Sequence, residues 1–147
     1  MSNPLKAFSH GISKEEFLNE LRKHYEADNF IQGSYYSKSI GKGCAVGCSV
    51  KSINDIRGKY TAIIHYGVYA AIGIPEWLAQ LEETIFEGLD IEAAKEWPIQ
   101  FTEAINTGAE LDTIKAELID GMYESESVNE AAETMLDRIR KCKPTKE

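Results

Sequence analysis

The chain reads as a mainly α, single compact domain of about five helices with a glycine-rich middle segment. Three observations point there. Apolar residues recur at helical spacing through most of the sequence after Gly73. Helix-start signals stand immediately before the first and last helical stretches of the whole chain, at Ser13 and Ser127. The chain has 147 residues, about one domain's length. The middle leaves room for one small β-hairpin.

Residues 1–12 show no periodicity and contain Pro4 and Gly11, which predicts a flexible arm ahead of a globular domain spanning 13–143. Ser13-Lys14-Glu15-Glu16 has the form of a capping box, in which a hydroxyl and a carboxylate three residues apart satisfy free helix-start N–H groups. Phe17, Leu18, Leu21 and Tyr25 then share one helical face, and the helix is expected to end near Asp28.

Glycines at 33, 41, 43, 47 and 58 interrupt residues 31–66. Residues 59–66 (KYTAIIHY) are rich in β-branched and aromatic side chains and suit a strand. Cys44, Val46, Cys48 and Val50 alternate as a partner strand would. The same stretch also suits a short helix that starts at the glycine-rich turn.

Beyond Gly73, Pro75 fits the first turn of a helix. Trp77, Leu78, Leu81, Ile85 and Phe86 form its apolar stripe, with Glu82, Glu83 and Glu87 assigned to the outside and Gly88 to the C-cap. Asp90 caps the next helix, which carries Ala94, Trp97, Phe101, Ala104 and Ile105. Pro98 inside it is expected to kink or split it. Leu111, Ile114, Leu118 and Met122 mark a further helix. Ser127-Val128-Asn129-Glu130 forms a second capping box ahead of the last one, with Val128, Ala131, Met135 and Ile139 inside.

The net charge of −8 opposes binding to a phosphate backbone, which needs cations to displace counterions. Nucleic acid is therefore disfavoured as a partner. The basic residues Lys38, Lys42, Lys51, Arg57 and Lys59 nevertheless gather around the glycines, while the acids concentrate beyond Pro75. No apolar run reaches the ~20 residues of a membrane span, and the N-terminus lacks a secretory apolar core. These features predict a cytoplasmic protein without a membrane partner. Three cysteines are too few for a disulfide framework and suit free thiols, with Cys142 incidental near the C-terminus.

The candidate site is Gly41-Lys42-Gly43-Cys44-Ala45-Val46-Gly47-Cys48. As a metal site, Cys44 and Cys48 have a zinc-like spacing. They can share an ion if helical, at ~6 Å, and not if extended, at ~13 Å. No metal or other cofactor is expected. As an enzyme, Cys44 at a helix start would be the nucleophile with His24 or His65 as base. As an anion cradle, Lys42, Gly43, Cys44, Gly47 and Cys48 would bind the ligand beside Tyr35 and Tyr36. The glycine spacing matches neither standard nucleotide loop. The plainest alternative is a tight turn with two small buried thiols.

Several phrases recur together: Phe30-Ile31-Gln32-Gly33, Lys42-Gly43-Cys44-Ala45-Val46-Gly47-Cys48, Gly73-Ile74-Pro75-Glu76-Trp77-Leu78-Ala79, Leu81-Glu82, Ile85-Phe86-Glu87-Gly88-Leu89, Trp97-Pro98, Phe101 and Ala104-Ile105. In this order, over residues 26–111, the chain resembles a family of small proteins encoded by phages and prophages. The resemblance implies an accessory protein acting on host machinery, for example countering a defence system by binding a protein or a nucleotide signal. Residues 52–60 look like an insertion relative to that family, and residues from 113 onward inherit nothing from it. The combined expectation is a non-catalytic binding protein for a small anionic ligand or a host protein. A cysteine-dependent enzyme is the alternative, and a homo-oligomer is compatible with the many aromatics.

Overall fold

The computed structural model describes residues 4–37, 39–58 and 66–144. Within them lie six α-helices, two 3-10 helices and one two-stranded antiparallel sheet. The mainly α class with one small hairpin is therefore what the chain adopts.

Helix α1 (Lys14–Glu26) starts at the Ser13–Glu16 capping box, with both reciprocal hydrogen bonds formed. Its Phe17, Leu18 and Leu21 are buried. Tyr25, assigned to the same face, is instead 41% exposed. The chain then turns through Asp28, at φ 57, into strands β1 (Tyr36–Ser37) and β2 (Lys42–Gly43). Tyr36 pairs with Gly43 and Ser37 with Lys42. Gly41, at φ 70, makes the turn that a side chain would strain.

Helix α2 (Ala45–Arg57) follows, so the Cys44–Val50 alternation belongs to a helix and not to a strand. Gly58 ends it in the left-handed conformation. The strand expected over 59–66 falls on residues outside the described ones, except Tyr66, which opens a 3-10 helix, Tyr66–Ile72.

Helix α3 (Glu76–Gly88) starts after Pro75 and has Leu89, not Gly88, as its C-cap. Gly88 serves packing: a Cβ there would lie 2.9 Å from Val128 Cγ2. Helix α4 (Ile91–Ala104) is capped by Asp90 and runs as one 14-residue element through Pro98. Of the two outcomes expected at Pro98, a kink or a split, the split does not occur. Pro98 is buried, and within the helix its carbonyl accepts the Thr102 hydroxyl at 2.8 Å.

A 3-10 turn, Leu111–Ile114, leads into α5 (Lys115–Tyr123), and α6 (Val128–Lys141) closes the fold. Ser127 accepts from the Glu130 N–H, but the Glu130 carboxylate reaches the Glu126 N–H, so the second capping box is only half formed.

Helix α3 packs against α2, α4, α6 and the first 3-10 helix, while α1 lies against α2 and α4. One hydrophobic core joins them, with Trp97, Phe17, Phe30, Phe86 and Phe101 fully buried. Two peripheral expectations are corrected here. Residues 4–12 are not a free arm: Ala7, Phe8 and Ile12 are buried. The Ala7 N–H bonds the Ala109 carbonyl at 2.9 Å and the Phe8 N–H bonds that of Ile72 at 2.8 Å. Cys142 is likewise part of the core, and its carbonyl accepts the Asn106 amide. Apolar burial outweighs the weak local signals in both segments.

Candidate functional site

The glycines of the candidate segment serve backbone approach. A Cβ on Gly43 or Gly47 would collide with the Tyr35 carbonyl oxygen. Removing both side chains lets the 30–36 stretch lie directly on the start of α2. The backbone donors are then consumed locally. The Gly41 N–H bonds Ser37, the Gly43 N–H bonds Asn29, and the Cys44 N–H is shared between Ser34 and Tyr35, all at 2.8–2.9 Å.

Cys44 is the N-cap of α2, and its sulfur accepts from the Gly47 N–H at 3.4 Å. Its own S–H donates to Glu83 Oε2 at 2.8 Å. Burial, then the Glu83 carboxylate, push the Cys44 thiol far above its ordinary range. Burial pushes Cys48 up to about 12. Its S–H points to the Gly43 carbonyl at 3.5 Å. A thiolate nucleophile needs the reverse environment, with cations and free helix-start donors around the sulfur.

Of the two bases assigned to the enzyme alternative, His24 turns to other partners than the thiols. His24 lies beside Asn29, with 3.3 Å between Nδ1 and the Asn29 amide nitrogen, and packs its ring 6.1 Å from that of Phe30. Burial lowers its pKa. His65 lies outside the described residues. Cys48 is helical while Cys44 is the extended N-cap of the same helix, and the two sulfurs turn to different partners. Among the described residues no group of three His, Cys, Asp or Glu side chains could hold a metal.

Of the basic cluster, Lys51 pairs with Asp55 and Arg57 bonds Asn54. Lys42 is half-buried at the hairpin, and Lys38 and Lys59 lie outside the described residues. Tyr35 and Tyr36 pack against the core. Burial, then the neighbouring Cys44 and Glu83, raise the Tyr35 hydroxyl pKa. The Tyr35 hydroxyl, Glu83 Oε1 and the Ser52 hydroxyl are buried without a hydrogen-bond partner among the described residues.

The residues that complete this region come from α3, whose acids the sequence reading placed outside. Glu82 is 1% exposed and accepts the Tyr69 hydroxyl at 2.8 Å; burial is the main cause lifting its pKa to about 8. Glu83 is also raised, by burial first, while the Cys44 thiol and the Val46 N–H pull it back down. Glu87 accepts the Gly33 N–H on both oxygens at 2.9 Å. Gln32 answers from the other side, donating to the Phe86 and Leu89 carbonyls at 2.8 and 2.7 Å and so closing the end of α3. A signal for Glu82 was present. It stands four residues after Leu78 and four before Phe86, on the buried face of the helix.

The positive end of α2 thus meets a carboxyl group of its own chain, Glu83. The segment is arranged as a fastening between α2, α3 and the 30–36 stretch. No family model matches this chain, and no curated protein or solved structure matches it significantly. No helix among the described residues is long and apolar enough to cross a membrane.

Proposed function

We propose that this chain is a non-catalytic binding protein whose partner is another protein, acting as a phage-type accessory or anti-defence factor in the host cytoplasm. The observation that carries the non-catalytic part is the Cys44 thiol donating to Glu83. A buried thiol facing a carboxylate is held protonated, the wrong state for nucleophilic catalysis. The protein-partner part follows from the internal use of the Gly41, Gly43, Cys44 and Gly47 N–H groups, which leaves a nucleotide-like anion few donors there. The phage setting rests on the string of phrases from Phe30 to Ile105.

The test pairs two measurements. Tagged chain is used to capture partners from host lysate, and purified chain is screened by thermal shift against nucleotides, inorganic phosphate and divalent metals. The reading expects a stoichiometric protein partner and no rise in melting temperature, because a ligand of the native state must stabilise it. A nucleotide that raises the melting temperature, with the rise lost in Lys42→Ala, would restore the anion site and overturn this reading. Rapid labelling of Cys44 by a thiol-directed substrate analogue would overturn it in favour of the enzyme.

A further inference from the structure

The α1–α4 face carries an open groove that the described residues leave uncovered. Two depressions of about 620 and 280 Å³ adjoin there, sharing Tyr25 and Glu96 in their walls. The Tyr25 ring, 41% exposed, stands where they meet. Ala93 lines the larger depression and the half-buried Ile99 the smaller, placing one apolar side chain beside the ring in each. An aromatic at that position would ordinarily be turned inward, as Phe17, Leu18 and Leu21 of the same helix are.

The rim has one sign. Glu26, Asp28, Asp90, Glu92 and Glu96 surround the larger depression, with Lys95 its single cation among the described residues. Lys95 lies 3.0 Å from Asp28 and 3.7 Å from Glu92, so Glu26, Asp90 and Glu96 are not its partners in these ion pairs. Glu103, on the smaller depression, is 3.9 Å from Arg22.

We infer that the α1–α4 groove docks a basic polypeptide segment, with an Arg or Lys side chain laid across Tyr25 and its charged head at Glu26 and Glu96. The chemistry selects this occupant. An arginine or lysine stem is apolar and suits the Tyr25–Ile99 surface, while its head needs a carboxylate. A guanidinium over a tyrosine face adds a cation–π attraction. The carboxylate rim repels nucleic acid and acidic chains and steers basic ones. This inference rests on the protein-partner reading above and adds the place and the partner's charge.

The test uses a fluorescein-labelled dodecapeptide of alternating Arg and Leu, with its Glu/Leu counterpart, and the full chain labelled for amide NMR. Saturable binding of the Arg/Leu peptide is expected, with shifts concentrated at Tyr25, Ala93, Glu96 and Ile99, and no binding of the Glu/Leu peptide. Glu26→Gln with Glu92→Gln and Glu96→Gln should weaken binding about tenfold. Tyr25→Ala should weaken it roughly threefold. A control triple on the α5–α6 turn, Asp120→Asn with Glu124→Gln and Glu126→Gln, should change it little. Circular dichroism of each variant confirms the fold. Equal loss in both triples, shifts spread over all acidic surfaces, or no saturable binding would overturn the groove. The lysate capture is independent: a partner still held by the groove triple sinks this inference and leaves the binding-protein reading standing.

Discussion

The Cys44 thiol donates to Glu83 Oε2 at 2.8 Å, joining the N-cap of α2 to the middle of α3 across 39 residues of sequence. The cysteine caps its own helix through Gly47 with the same sulfur. One side chain thus satisfies a helix start and anchors a neighbouring carboxylate.

Thiol chemistry follows from that pair. At pH 8, Cys44 and Cys48 should react with iodoacetamide on the order of 100-fold slower than a free cysteine, since only the thiolate attacks. Glu83→Gln should accelerate Cys44 only modestly, because burial, the largest cause of its raised pKa, remains. Peptide-resolved mass spectrometry reads both rates. A Cys44 rate equal to that of free cysteine in the wild type would contradict the geometry.

Glu82 makes stability fall with rising pH. Burial lifts its pKa from 4.5 to about 8 in the folded chain, so between those values the folded state holds a proton that the unfolded state has released. The stabilisation is complete below pH 4.5 and is lost as the pH rises through about 8. The chain should therefore melt lower at pH 8.5 than at pH 6, as read by calorimetry. Glu82→Gln should flatten most of that difference while keeping the Tyr69 hydrogen bond. An unchanged slope in the variant would assign the effect elsewhere.

Gly47→Ala should be severe. Its Cβ would enter the space of the Tyr35 carbonyl, with Tyr36 Cβ at 3.2 Å behind it, and backbone cannot step aside as a flexible side chain can. A loss of roughly 3 kcal/mol is expected in urea unfolding. Gly58→Ala meets no atom within 4 Å and carries only the strain of φ 66, so about 1 kcal/mol suffices there.

Ser52→Ala should be neutral or stabilising. Its hydroxyl is fully buried with no partner among the described residues, and removing an unsatisfied buried polar group recovers a desolvation cost of about 1 kcal/mol. Alanine also favours the interior of α2. A clear destabilisation in urea unfolding would mean that the hydroxyl is satisfied in solution, for instance by an internal water.

The sequence alone determined what is local. The Ser13 capping box, the Asp90 cap, the helical stripes of α3, α4 and α6 and the mainly α class are all set by spacing and short-range hydrogen bonding. It also marked the Gly41–Cys48 segment as special, because three glycines and two cysteines in eight residues have no role in an ordinary helix. Only the tertiary structure decided what that segment does. The Tyr35 backbone that demands Gly43 and Gly47, and the α3 carboxylate that faces Cys44, arrive from other parts of the chain. The same holds for Pro98 within one continuous helix, for Ala7 and Phe8 in the core, and for Tyr25 turned outward. Each depends on which surfaces meet, and burial of those surfaces is energetically larger than the local preferences that spacing and composition record.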